Sequence, residues 1–112
     1  MIKVSVMYPN RDGATFDMDY YCQKHMALVE QLLGSALKGI SIDKGIDQPT
    51  EAAPFLAIGH LLFDSVESFQ AALAAHGAAL MADIPNYTNV PPKILVSDIA
   101  FQWQAGGRQA SA

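Results

Sequence analysis

The chain has 112 residues, with seven Lys and Arg against eleven Asp and Glu, a formal net charge of −4 and a pI near 5.1. That length fits one domain of the usual ~100–200 residues and needs no disulfide or metal to hold a core. The acidic balance, with basic residues scattered from Lys3 to Arg108, excludes a phosphate-neutralising nucleic-acid surface, and no run approaches the roughly 18 apolar residues of a membrane span.

Met1-Ile2-Lys3 leads straight into a strand pattern without the apolar segment of a secretory leader, and Cys22 is the single cysteine. The chain therefore reads as a soluble cytoplasmic protein without a disulfide framework or a cysteine-rich metal site. Charged residues make up 16% of it against an average near 25%, while the hydrophobic set reaches 51%. A small monomer has much surface for its volume and should be richer in charge than average. The deficit predicts a homodimer that hides part of the surface.

The first predicted strand is Ile2 to Tyr8, with Ile2, Val4, Val6 and Tyr8 alternating with Lys3, Ser5 and Met7. Pro9 ends it, and Asn10 to Gly13 supply turn chemistry. A helix is predicted from Asp17, a good N-cap, to Leu33, with Gly34 just beyond it. At 100° per residue its apolar stripe holds Met18, Cys22, His25, Val29, Leu32 and Leu33, flanked by Tyr21 and Leu28, and Tyr20 points outward with Lys24. Leu37 to Lys44 reads as a second strand and Gly45 to Pro54 as an exposed connection. Phe55 to Phe63 is a third strand, apolar on both faces and so covered on both sides.

Asp64 and Glu67 have the spacing of a capping box for a second helix, which Gly77 is expected to bend or interrupt near His76. Asp83 to Pro92 is rich in turn residues, Ile94 to Trp103 is a fourth strand, and Gln104 to Ala112 is a small, polar tail. The order β-α-β-β-α-β over residues 1–103 is the ferredoxin-like split βαβ arrangement of the α+β class. Both helices then cover one face of the sheet. Two copies pressed together by their bare faces make a dimeric α+β barrel.

His25 is the most informative candidate, because its place on the apolar stripe turns it toward the sheet. Burial disfavours the charged imidazole and keeps it neutral and able to take a proton, as a general base requires. The alternative is a core histidine satisfied by a carbonyl and a hydroxyl. Cys22, three residues earlier on the same stripe, reads as a small buried hydrophobe rather than half of a metal site, since further ligands are lacking. His60 shares the parity of Leu56, Ile58 and Leu62, and either lines a cavity or sits at the dimer seam. His76 reads as a C-terminal helix residue. Tyr8 and Tyr87 each place a phenol at the edge of an element. No phosphate loop, dinucleotide fingerprint or nucleophile elbow is present.

The run Tyr8-Pro9-Asn10, with Gly13, Phe16, Asp17, Tyr20-Tyr21 and His25-Met26, resembles the opening of EthD-domain proteins. Asp83-Ile84-Pro85-Asn86-Tyr87-Thr88 resembles their second signature. The resemblance runs from Ile2 to Trp103 and implies the dimeric α+β barrel superfamily. It also implies the degradation of ethers, lactones or aromatic compounds by cofactor-free isomerase, cyclase or oxygenase chemistry. Some EthD-like muconolactone isomerases are thought to use the helix histidine, which matches His25. The resulting expectation is a mostly apolar pocket under the first helix. There His25 and Tyr8 would be catalytic, while Tyr87, His60 and Cys22 would bind a small hydrophobic carbonyl or aromatic compound, with no cofactor and no metal. The rival expectation is a non-catalytic dimeric binding or accessory protein of an oxidative degradation system.

Overall fold

The computed structural model describes residues 1–105. The remainder of the expected tail lies outside them. Strands β1 (Ile2–Pro9), β2 (Gly39–Lys44), β3 (Phe55–Phe63) and β4 (Lys93–Asp98) form one sheet in the order β2-β3-β1-β4, every pair antiparallel. The first helix is built from α1 (Met18–Tyr20), a π-helical turn (Tyr21–His25) and α2 (Met26–Leu33). The second is α3 (Val66–Asp83). This is the ferredoxin-like arrangement expected from the element order. Among the described residues no helix is long and apolar enough to cross a membrane.

Period-two alternation fixes which residues meet the helices. Ile2, Val4, Val6 and Tyr8 lie opposite Phe63, Leu61, Gly59 and Ala57 of β3. With Met26, Val29 and Leu33 of α2 they supply most of the buried core. The opposite face carries Ser5, Met7, Ile58, His60, Leu62 and Leu95, and no helix of the described residues packs on it.

The sequence was right about β3 to the residue and departed from the structure elsewhere for local reasons. The first helix does begin at Asp17, whose carboxylate accepts from Tyr20 N at 3.0 Å, and Gly34 ends it with a φ of +53°. Its phase differs from the simple wheel. Met26 N–H bonds Tyr21 C=O, an i→i+5 closure that fits one extra residue into the turn. One residue corresponds to about 100° of rotation. Tyr21 therefore turns fully inward with His25, while Cys22 swings out and is exposed.

The second strand starts at Gly39, because a 3-10 turn occupies Gly34–Ala36. The cap of α3 is Ser65, whose hydroxyl accepts from Ser68 N at 3.1 Å, rather than Asp64. The helix runs unbroken through Gly77 to Asp83, although a glycine in a helix interior is about 1 kcal/mol less favourable than alanine. His76 is thus an interior helix residue. The last strand stops at Asp98, leaving Phe101 and Trp103 exposed beyond it.

Candidate active site

The two segments that carry the family resemblance are far apart in sequence and stitched together in space. Asp17 N–H donates to Tyr87 C=O at 2.7 Å, and Thr88 Oγ1 donates to Thr15 C=O at 2.7 Å. Asn89 accepts from Thr15 N–H and donates to Gly13 C=O. This seam brings the end of α3 and the 3-10 turn after it (Ile84–Asn86) against the π-helical turn.

His25 sits at that junction and is 6% exposed. Its Nδ1 lies 2.8 Å from Asp83 Oδ2. A carboxylate only accepts, so Nδ1 carries the hydrogen, and Nε2 is the ring nitrogen that Asp83 does not engage. The other oxygen of Asp83 accepts from the Tyr20 hydroxyl at 2.7 Å and from Asn86 Nδ2 at 2.9 Å. Burial by itself would push the Asp83 carboxyl up. The hydrogen bonds from Asn86, His25 and Tyr20 outweigh it and hold Asp83 below the usual carboxylate range. The outcome is an anionic Asp83 pinned at both oxygens beside a buried imidazole.

Around the ring stands an aromatic cluster. Tyr87 lies 4.8 Å from His25 between ring centroids, and Tyr21 stacks on it at 5.6 Å with only 16° between the planes. Phe16 lies edge-on to Tyr8 and Tyr21. The Tyr8 and Tyr87 hydroxyls share a hydrogen bond of 2.6 Å. Burial raises the pKa of Tyr8, Tyr21 and Tyr87 above the ordinary phenol value, so all three stay protonated at neutral pH. Tyr20 is raised too, chiefly because its hydroxyl donates to Asp83.

Between this cluster, α2, α3 and the sheet lies a cavity of about 130 Å³. Val6, Gly59, Leu61 and Phe63 form its floor, α3 its roof, and His25, Tyr8 and Tyr21 its polar end. Among the described residues no Lys, Arg, Asp or Glu lines it. It reaches the surface beside Met81 and Ile94, both well exposed.

His25 and Tyr8 thus meet at one cavity, as the sequence suggested. Tyr87 does not line it and stands behind Tyr8 as a hydrogen-bond partner. Cys22 is turned to the outer surface by the π-helical turn and cannot touch a ligand there. His60 is on the other side of the sheet. Its Nε2 lies 2.8 Å from Asp43 Oδ2 and its Nδ1 2.9 Å from Ser5 Oγ, a polar chain across the uncovered face. Among the described residues no three His, Cys, Asp or Glu are grouped as a metal site.

Asp83 and Tyr20 went unnoticed as site residues in the sequence. One signal was available for Asp83. A carboxylate in the last turn of a helix meets the negative end of the macrodipole, so its presence there calls for compensating donors.

A family model for the EthD domain matches residues 13–91. An EthD-like protein from Ralstonia eutropha JMP134 has a similar structure, with 39% identity, a TM-score of 0.87, and coverage of 93% of this chain and 96% of that one. An EthD family protein from Bacillus halodurans shares the fold at 17% identity and a TM-score of 0.68, covering 88% and 97% of the two chains. A dimeric protein of ferredoxin-like fold from Bacteroides fragilis shares it at 12% identity and a TM-score of 0.53, over 87% and 94%. No curated protein sequence matches the chain. The family-model match and the Ralstonia relative agree with the two stitched signature segments: the chain belongs to the EthD domain family.

Proposed function

We propose that the protein is a small cofactor-free enzyme of the isomerase or oxygenase type, acting on a small apolar carbonyl, lactone or aromatic catabolite, with His25 as general base. The observation that carries this reading is the 2.8 Å pairing of His25 Nδ1 with Asp83 at the wall of an apolar cavity. Asp83 fixes the tautomer and stabilises the imidazolium that forms when Nε2 takes a proton.

In the isomerase form, Nε2 removes a proton from the carbon beside a carbonyl, and the electron pair moves onto the carbonyl oxygen. Tyr87 donating to Tyr8 frees the Tyr8 hydrogen to meet that enolate oxygen. Return of the proton from Nε2 to another carbon gives the isomer with no further reactant.

The working unit in this reading is a homodimer. Met7, Ile58, Leu62 and Leu95 occupy a sheet face that no helix covers, and a structural relative is described as dimeric. A second copy placed face to face would cover it.

The test is His25→Ala assayed on small lactones and enolisable ketones. A general base contributes about 10²–10⁴-fold. We expect a loss of that size in kcat/KM with the fold retained by NMR, and an unchanged rate would overturn the assignment. One observation favours the second reading, a dimeric binding or accessory protein. If Tyr8 instead donates to Tyr87, its hydrogen is spent, and a ligand meets mostly apolar walls and His25. Saturable binding with no product over time would establish that role.

A further inference from the structure

We propose that the cavity selects a single uncharged ring bearing one proton donor aimed at His25 Nε2, and that Gly77 sets the upper limit on its size. The inference rests on the assignment of this cavity as the active site and names the ligand class it admits. The volume, about 130 Å³, is close to that of an engineered apolar cavity of about 150 Å³ that takes up benzene. One six-membered ring fills it, and a second fused ring would have to project through the mouth beside Met81 and Ile94.

Charge decides the second property. With no basic side chain among the described residues on the walls, a carboxylate entering the cavity exchanges its water for aliphatic and aromatic surface, a transfer that strongly disfavours the ion. The hydrogen on Nδ1 is committed to Asp83, so in the general-base form proposed above, with Nε2 unprotonated, the imidazole offers only an acceptor. A ligand with a hydroxyl or an acidic C–H satisfies it, whereas a ligand with only acceptors does not.

Gly77 is buried in the middle of α3 and forms part of the cavity roof. A Cβ added there would lie 3.0 Å from Leu73 Cδ1. That methyl is the tip of a side chain that is 45% exposed, so the helix has room for alanine once Leu73 turns. Neither backbone strain nor crowding by the main chain demands glycine at this position. Keeping the roof open for a ligand is the role that remains.

The experiment uses the full chain and follows the His25 ring signals by NMR during titration with phenol, benzoate and 2-naphthol at neutral pH. Phenol is expected to saturate and shift those signals, with benzoate and 2-naphthol each at least tenfold weaker (our threshold, one decade in Kd). Gly77→Ala is expected to weaken phenol several-fold while leaving Tm equal or higher, an outcome that a purely structural glycine would not give. Benzoate or 2-naphthol binding as tightly as phenol would overturn the proposal. So would phenol binding that leaves the His25 signals unmoved, or a Gly77→Ala variant with unchanged affinity. Failure of phenol to bind while His25-dependent turnover persists would sink this inference alone. Phenol binding as described, with turnover indifferent to His25→Ala, would sink only the general-base assignment.

Discussion

Gly59→Ala is the most exacting test of the packing around the site. Gly59 lies in the middle of β3, and a Cβ there would fall on the Tyr21 hydroxyl, with Tyr21 Cζ at 3.5 Å. Tyr21 is 1% exposed and is held by Tyr8, Phe16 and Tyr87, so it can give way only by leaving those rings for the cavity. Overpacking of a core typically costs about 1–3 kcal/mol, and disturbing an aromatic contact adds about 0.5–1.5. The expected destabilisation is therefore about 2–4 kcal/mol, a fall in Tm on the order of 10–20 °C for a domain of this size. The assay is thermal unfolding of four proteins: wild type, Gly59→Ala, Tyr21→Phe and the double variant. Removing the hydroxyl costs about 1 kcal/mol by itself, but it also vacates the space the new methyl needs. The double variant should therefore unfold close to Tyr21→Phe alone. If the two losses simply add, the contact between these positions is not what demands glycine, and the reasoning fails.

Three further outcomes follow from the ionisable groups and the uncovered face. The four tyrosines all have raised pKa values, so the folded protein holds phenolic protons that the unfolded chain loses near pH 10. Stability should be complete below that pH and fall as pH rises above it. Absorbance at 295 nm should show the tyrosines ionising together with unfolding rather than at the free-phenol value. Asp83 has the opposite sign. Its depressed pKa adds stability above the unfolded value of 3.8 that is lost as pH falls through the folded one. Asp83→Asn should flatten this acid limb in pH-dependent denaturation and lower turnover along with it. Ile58→Glu places a charge on the bare sheet face and should convert a dimer to monomers by sedimentation, with secondary structure unchanged by circular dichroism.

The elements were legible wherever local pattern and global packing agreed. Alternation from Ile2 to Tyr8 gave the buried face of β1 directly. The two-sided apolarity of Phe55 to Phe63 marked β3 and predicted cover on both faces, but among the described residues helices cover only one. A fixed 100° step could not see the π-helical turn, because an i→i+5 closure depends on which partner the turn meets. That single difference exchanged Tyr21 for Cys22 on the inner face. His25 kept its inward direction under both geometries, which is why the wheel found it. Asp83 was missed for another reason. Its role depends on donors at Tyr20, His25 and Asn86, three positions that only the seam between the two signature segments brings together. His60 was assigned the correct strand parity, and the bare side of the sheet explains why it never reaches the cavity.

The seam from Gly13–Asp17 to Tyr87–Asn89 also has a meaning for how the molecule comes into being. Tyr8, Tyr21 and His25 leave the ribosome well before the carboxylate that pairs with the imidazole, which follows His25 by 58 residues. A nascent chain halted before Asp83 carries the histidine without its anchor and lacks the strand that closes the sheet edge. The His25–Asp83 pair and the closed sheet edge therefore form only after the second signature segment and β4 have been made.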